Sequence, residues 1–389
     1  MNMTECATLA PLVRGAMIAK TMRPCVVTCG GREAECVIDI TGCADEASVA
    51  QKLAHDITQW GVTLKTATGA MTFWGDVSYD AAKRKSLEGE RPRSPHAFHM
   101  EGARPHAPHN APNRNDVVRG KIAVVTGGAQ GFGEEIVRGL VAAGAFVFIA
   151  DVNVDGATRL AESLNAEAGQ TTALPVEGNV ANEASTEAMF STIAATAGGL
   201  DLCVSNAGVV RAGSVLEQDT KDFAFVTDVN YVGFFLVTKH AGRLMKRQHL
   251  AAPAWMTDII QINSKSGLEG SNKNGAYSGS KFGGLGLVES FALELVAYNI
   301  KVNAVCPGNF LGGPLWMDPV KGLFVQYLRS GKVPGAKTVE DVKAFYESKV
   351  PMKRGCEGPD VLRAIAYLVE QAYETGQALP VTGGQIMLH

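Results

Sequence analysis

Residues 121–133 read K-I-A-V-V-T-G-G-A-Q-G-F-G. Ile122 to Thr126 form an apolar run without polar alternation. That pattern belongs to a short strand buried on both faces, as in a parallel sheet. Glycines follow at once, and residues 131–143 then carry apolar side chains at helical spacing. Glycine permits the tight strand-to-helix turn. It also lets backbone N–H groups approach a pyrophosphate, which a helix N-terminus favours electrostatically. A glycine-rich turn is a weak signal alone, but here it follows a strand and precedes a helix, as dinucleotide binding requires. Gly127, Gln130, Gly131, Phe132 and Gly133 are therefore candidate cofactor contacts.

Downstream the pattern repeats. Strands are expected at 146–151, 171–176, 200–205, 258–263, 300–306 and 377–382. Helices are expected at 131–143, 154–168, 183–197, 219–247, 275–298 and 359–374. Strands alternating with helices predict an α/β fold: a doubly wound parallel Rossmann sheet of seven strands over residues 119–389, with ligands at the C-terminal strand ends. The second strand ends at Asp151. A carboxylate there accepts hydrogen bonds from ribose hydroxyls and repels a 2′-phosphate. No Arg or Lys occurs within 146–158, so NAD is favoured over NADP.

Tyr277 and Lys281 stand at i and i+4, on one face of the predicted helix. A phenol titrates near ~10, and an ammonium beside it favours the phenolate. Ser264 closes the apolar run Ile259-Ile260-Gln261-Ile262, where a strand end can present its hydroxyl to the phenol.

These residues resemble the short-chain dehydrogenase/reductase family, over about residues 118–389. The family's cofactor turn is matched by Thr126, Gly127, Gly131 and Gly133, and its Asn-Ala-Gly by Asn206, Ala207 and Gly208. Its catalytic Asn is matched by Asn230, its Ser by Ser264, its Tyr-x3-Lys by Tyr277 and Lys281, and its Pro-Gly by Pro307 and Gly308. Three positions depart: Asn179, before Val180, replaces the usual Asp beside adenine; Ser205 replaces an Asn; Gly312 replaces a Thr. The resemblance implies proton transfer by Tyr277 during hydride exchange with NAD. Lys281 would lower the Tyr277 pKa and hold the nicotinamide ribose, Ser264 would steady the substrate oxygen, and Asn230 would hold a relay water. It also implies pairing into a homodimer or homotetramer.

The segment after Gly308 should cover the substrate. Residues 309–354 hold eight basic side chains against four acidic ones, which suits an anionic substrate such as a sugar phosphate. C-P-G-N-F-L-G-G-P-L-W, K-V-P-M-K-R-G-C and T-G-Q-A-L-P-V-T-G-G-Q resemble the sorbitol-6-phosphate 2-dehydrogenase branch, which implies a polyol phosphate oxidised to fructose 6-phosphate. An unphosphorylated polyol or other secondary alcohol is the alternative within enzymes. An NAD-sensing regulatory protein is the alternative of another class, and such a sensor would need none of the four catalytic residues.

The remainder is less informative. Residues 1–82 read as a small α+β appendage, with strands at Val26–Thr28 and Cys36–Ile40, a helix capped by Asp45 and stopped by Gly61, and β-like residues from Thr63 to Phe73. Residues 83–118, rich in Pro and carrying His96, His99, His106 and His109, read as a flexible linker. Cys25, Cys29, Cys36 and Cys43 do not follow a usual zinc spacing, and no metal is expected. The net charge of −3 gives no reason to expect nucleic acid as partner. No apolar run is long enough for a membrane span and no signal-peptide centre is present, so a cytoplasmic protein with free thiols is expected.

Overall fold

A computed structural model describes the chain apart from residues 1–2, 31–33, 35, 58, 68, 77, 89–116, 321, 330, 332 and 388–389. The chain opens with α1 (Met3–Thr21), β1 (Val26–Cys29), β2 (Cys36–Asp39), α2 (Glu46–Asp56), β3 (Gly61–Thr66), β4 (Gly69–Asp76) and α3 (Tyr79–Glu88). The four strands make a sheet of their own in the order β1-β4-β3-β2. Asp45 caps α2 through a reciprocal bond with Ser48, as expected. Gly61, however, does not stop that helix. It ends at Ile57, and Gly61 begins β3, packed against the Trp74 ring. The expected linker begins later, because α3 runs on to Glu88. Most of that linker, including its four histidines, lies outside the described residues.

The second part holds β5 (Ile122–Thr126), α4 (Gly131–Ala142), β6 (Phe146–Asp151), α5 (Val154–Ala168), β7 (Ala173–Glu177), α6 (Glu183–Ala197), β8 (Leu202–Ser205), α7 (Thr220–Thr227), α8 (Gly233–Ala251), β9 (Thr257–Ile262), α9 (Gly275–Leu295), β10 (Ile300–Pro307), α10 (Pro314–Met317), α11 (Leu323–Arg329), α12 (Val339–Ser348), α13 (Gly358–Glu370) and β11 (Ala378–Val381). Its seven strands are all parallel, in the order β11-β10-β9-β8-β5-β6-β7. Strand order reverses between β5 and β8, and ligands bind at such a switch point. β5 and β10 are buried at every residue; β5 reads as an apolar run for that reason, while β10 buries Lys301 against Asp258 and Asn303 against the Glu374 carbonyl. One core joins the sheet to α6, α8 and α9; the other joins it to α4, α5 and α13.

Two stretches differ from expectation. The helix of 219–247 is broken: a π-helical turn, Asp228–Val232, separates α7 from α8. The stretch after Gly308 is not plain loop, since α10, α11 and α12 gather Trp316, Phe324 and Val342 into a small core of their own. Among the described residues, no helix is long and apolar enough to cross a membrane.

The N-terminal residues are joined firmly to the parallel sheet. Arg14 of α1 is fully buried, and its guanidinium donates to Asp201 at 2.7 and 3.1 Å, to Gln248 Oε1 at 2.6 Å and to the Cys25 carbonyl at 2.6 Å. Asp201 also accepts from the Ile122 amide and Trp255 Nε1. Tyr79 stacks on Phe146, and Asp80 accepts from the Thr171 amide. These joints lie at the N-terminal ends of β5, β6, β7 and β8, opposite the edge where the glycine turn sits.

Candidate active site

At the end of β5, Thr126 Oγ1 accepts from the amides of Asn206 and Ala207, each at 3.1 Å. Asn206 Nδ2 returns bonds to the carbonyls of Thr126 and Gly127, each at 3.0 Å. The loop after β8 is thereby fastened to the glycine turn. Gly127 and Gly131 take φ of +62° and +59°, which a side chain strongly disfavours. A Cβ on Gly133 would collide with the Gly127 carbonyl oxygen. Gln130 is the N-cap of α4, and Phe132 stacks on Phe310 at 4.3 Å.

Asp151 lies beside this turn and helps to shape it. Its carboxylate accepts from the Ala129 amide at 3.0 Å and the Asn153 amide at 2.9 Å. Each oxygen keeps acceptor capacity for a ribose hydroxyl. Asn179 uses its side-chain oxygen on the Ala181 amide, and Val180 packs against Gly233, the first residue of α8.

Asn230 lies in the π-helical turn, a distortion that recurs at functional sites. Its Oδ1 accepts from the Val209 amide at 2.8 Å, and its Nδ2 donates to the Val209 carbonyl at 2.9 Å and to Ser280 Oγ at 3.1 Å. The amide braces the loop after β8 against α9. Of the polar capacity expected for a relay water, one Oδ1 lone pair is left. Gly208 completes this brace: a Cβ there would sit 3.3 Å from Asn230 Oδ1 and 3.6 Å from Lys281 Nζ.

Tyr277, Lys281 and Ser264 do meet. Ser264 lies close enough to the Tyr277 phenol to favour its ionised form, and its hydroxyl accepts from the Ser266 amide at 3.1 Å. Lys281 is buried, with Nζ donating to the Ile262 carbonyl at 3.0 Å and standing 5.6 Å from the centre of the Tyr277 ring. The electrostatics correct the expectation. Burial pushes the phenol above its ordinary value; Ser264 opposes the rise, and Lys281 is not among the groups that lower it. The ammonium addresses the ring and a carbonyl rather than the phenol oxygen. Burial also brings Lys281 down to about 8.

Three further residues belong to the site. Asn263 donates to the Lys281 carbonyl at 3.0 Å and to Gln261 Oε1 at 2.7 Å, while its Oδ1 accepts from the Ser264 amide at 2.8 Å. It locks the end of β9 to α9. Ser280 Oγ donates to the Tyr277 carbonyl and accepts from Asn230. Cys306 is fully buried beside Ser264 and Lys281, and burial raises its thiol to about 12. A polar residue just after an apolar strand could have signalled Asn263. Nothing local marks Cys306, whose surroundings come from α9 and the loop after β9. Pro307 ends β10, and the Gly308 amide donates to the Val381 carbonyl at 2.9 Å.

The basic residues after Gly308 are mostly engaged within their own segment. Arg354 forms a two-pronged pair with Asp360 at 2.6 and 2.9 Å. Lys353 donates to the Ser348 carbonyl, Lys343 pairs with Glu347, and Lys349 lies over Phe345. Lys321 and Lys332 lie outside the described residues. Among the described residues, no group of three or more His, Cys, Asp or Glu could hold a metal ion.

A glycine turn at a switch point, an Asp ending the next strand, and Asn, Ser, Tyr and Lys converging at one strand edge are accompanied by a sequence match. The family model for short chain dehydrogenases matches residues 121–318. The chain belongs to the short-chain dehydrogenase family. Sorbitol-6-phosphate 2-dehydrogenase of Escherichia coli K12 is 37% identical over 270 residues, which are 69% of this chain and 99% of that protein. The crystal structure of sorbitol-6-phosphate 2-dehydrogenase from Erwinia amylovora is 40% identical, with a TM-score of 0.63, covering 68% of this chain and 100% of that one. A 3-ketoacyl-(acyl-carrier-protein) reductase from Brucella melitensis, solved with NADH, shares the fold at 24% identity and a TM-score of 0.58, over 69% of this chain and 99% of that one. These relatives correspond along nearly their whole length to little more than two thirds of this short-chain dehydrogenase. The chain is an oxidoreductase of that family.

Proposed function

We propose that the chain is an NAD-dependent dehydrogenase interconverting a polyol phosphate and its ketone, with sorbitol 6-phosphate and fructose 6-phosphate as the pair. The observation that carries the chemistry is the meeting of Asn230, Ser264, Tyr277 and Lys281 at the strand edge beside the glycine turn. The substrate rests on the two sorbitol-6-phosphate dehydrogenases, each matched over almost its entire length.

The residues fit the cofactor. The cradle over Gly127 and Gly133 has no room for a side chain, and Asp151 offers acceptors to a ribose with no Arg or Lys in 146–158 to hold a 2′-phosphate. NAD, when bound, supplies the hydride acceptor. Tyr277 takes the proton of the secondary alcohol, and Ser264 holds the alcohol oxygen against the phenol. Asn263 and Ser280 brace the α9 backbone at the Lys281 and Tyr277 carbonyls, and the Ile262 carbonyl holds the Lys281 ammonium. In the reductive direction Tyr277 returns the proton to the ketone oxygen. A small-molecule substrate, a cytoplasmic setting and a homo-oligomer complete the reading. The eight cysteines, all free thiols, suit that setting.

The test is NADH formation over a panel of hexitols with and without a 6-phosphate, each with NAD and NADP. Turnover confined to the phosphorylated hexitol and NAD is expected. Equal kcat/KM for sorbitol and its phosphate would overturn the substrate, and NADP preference would overturn the cofactor. One observation favours the second reading, an unphosphorylated polyol or other secondary alcohol: Arg354, Lys353 and Lys343 are tied down locally. Cofactor binding without turnover on any alcohol would favour an NAD-sensing protein.

A further inference from the structure

Phe132 of α4 and Phe310, two residues past Gly308, stack with ring centres 4.3 Å apart and planes 14° from parallel. They come from elements that are not neighbours. Phe132 is the second residue of α4, directly after the turn that ends β5, and Phe310 follows β10. β8 and β9 lie between β5 and β10 in the sheet, so the two chain segments leave it about 14 Å apart, three strand spacings. The rings close that gap across the C-terminal ends of β8 and β9. Ser264, and Tyr277 beside it, stand just past the end of β9. A dinucleotide with its pyrophosphate at the glycine turn crosses the same strand ends to reach Tyr277.

Both rings are held in place. Phe132 packs on the core that joins the sheet to α4, α5 and α13. The backbone around Phe310 is pinned: the Asn309 carbonyl accepts from the Cys356 amide and the Phe310 carbonyl from the Gly313 amide, each at 2.9 Å. Leu311 is buried, with Gly355 against it. The Phe310 ring owes its position to Gly313, where a Cβ would collide with it. The Gly313 backbone itself, at φ −83° and ψ 165°, is open to any residue. With the backbone tied, the pair opens by rotation of the Phe310 side chain. Both rings are half-buried, so they form a wall of the crossing rather than part of a closed core. Neither carries a proton donor or acceptor, and the pair has no part in the proton transfer at Tyr277.

We propose that Phe132 and Phe310 form a gate on the dinucleotide site. Stacked, they bar the crossing between the glycine turn and Tyr277, and the cofactor enters and leaves when Phe310 turns away. The gate rests on the reading of the chain as a dinucleotide-dependent oxidoreductase, which it deepens by assigning cofactor exchange to residues outside the catalytic four. Such a gate has a kinetic signature. The rings part for entry as they do for exit, so loosening the pair speeds both and changes the affinity little. A residue that only touched the bound cofactor would change the exit rate and the affinity together.

The experiment is stopped-flow fluorescence of NADH binding and release on the full-length protein, with Kd from equilibrium titration and a second arm with NADPH. Wild type, Phe310→Ala, Phe310→Tyr and Gly313→Ala are compared. An aromatic pair is worth about two- to tenfold beyond the area it buries, so Phe310→Ala is expected to speed association and dissociation alike by that factor, with Kd held within about twofold. Gly313→Ala leaves both rings whole but displaces the Phe310 ring, and is expected to do the same; it keeps the test open if Phe310→Ala folds poorly. Phe310→Tyr keeps the stack and is expected to keep wild-type rates. Wild-type rates in Phe310→Ala and Gly313→Ala overturn the gate and leave the dinucleotide reading standing. Faster release with weaker binding and unchanged association makes Phe310 a contact and likewise overturns the gate. A wild type that binds neither NADH nor NADPH overturns the dinucleotide reading and the gate with it.

Discussion

Arg14 and Asp201, 187 residues apart, form a two-pronged ion pair with neither side chain exposed. Burial alone would raise the Asp201 pKa, but Arg14, Lys121 and the Ile122 amide hold it below its ordinary value. Removing one partner of such a pair leaves an uncompensated buried charge and costs about 3–5 kcal/mol. Arg14→Met is therefore expected to lose that much stability at pH 7 in urea titration. The sign with pH follows from the depressed carboxyl. In the wild type its contribution is present above about 4, the unfolded Asp value, and fades as pH falls through the folded one. In Arg14→Met, burial raises the carboxyl instead, so the deficit shrinks as pH drops and Asp201 protonates. A deficit that does not change between pH 7 and 4 would count against this account.

Tyr277→Phe should lower kcat about 10²–10⁴-fold with little change in Tm, measured by NADH absorbance and thermal melting. Lys281 makes a different prediction. Its ammonium is buried, and its pKa is brought down to about 8, against about 10.4 in the unfolded chain. Between those values the unfolded state binds more protons, so stability rises with pH through that window, and the penalty is greatest below pH 8. Lys281→Met should abolish turnover yet gain about 1–3 kcal/mol at neutral pH, with the gain disappearing by pH 10. A variant that is inactive and also less stable at pH 7 would contradict the burial argument.

Much of this was legible in the chain itself. β5 is buried on both faces, so its sequence is apolar up to Thr126, whereas β10 is buried just as fully but carries Lys301 and Asn303, each with partners of its own. The glycines at 127, 131 and 133 are needed by a turn too tight for side chains, and Tyr277 and Lys281 betray themselves by helical spacing. α1 was not legible, because Arg14 reads as a surface residue and interrupts the apolar pattern. Only Asp201, far along the chain, makes its burial tolerable. The same holds for the phenol of Tyr277. Spacing places Lys281 on the right face, but Ile262 and Cys306, from other strands, decide which atom the ammonium addresses and how strongly the phenol is desolvated. The helices after Gly308 escaped because each is short, and their core is built across them from Trp316, Tyr327 and Tyr346 in mutual contact, which no single helix shows alone.

Asp151 shapes the glycine turn, and under the proposed function it also selects NAD; the two roles can be separated. Asp151→Asn keeps an acceptor for only one of the Ala129 and Asn153 amides, which bond to different carboxylate oxygens, and removes the charge that repels a 2′-phosphate. KM for NAD is expected to rise about tenfold, from the loss of a charged hydrogen bond worth about 1.5 kcal/mol or more, while activity with NADP appears or increases. Steady-state kinetics with both cofactors gives the ratio. If the ratio of kcat/KM for NAD and NADP stays at the wild-type value, Asp151 does not select the cofactor and only shapes the turn.

The outer face of α9 supplies the last prediction. Gly275, Gly279, Phe282, Gly286, Glu289, Leu293 and then Val296 are exposed at alternating steps of four and three. That is the spacing of a helix seam repeating every 3.5 residues. Phe282 is 47% and Leu293 82% exposed, while the glycines let a second backbone come close. Phe235 of α8 is also exposed and lies beside Phe291 of α9, widening the apolar strip. We propose that two copies of the chain pair through this seam, α9 against α9, which would bury the strip as a two-fold interface. Leu293→Glu places a charge at the seam without touching Tyr277 or Lys281, which lie toward the other end of the helix. Light scattering is expected to show the wild type as a dimer or tetramer and Leu293→Glu with half that mass. Unchanged mass in Leu293→Glu and in Phe282→Glu would show that the chains associate elsewhere or not at all.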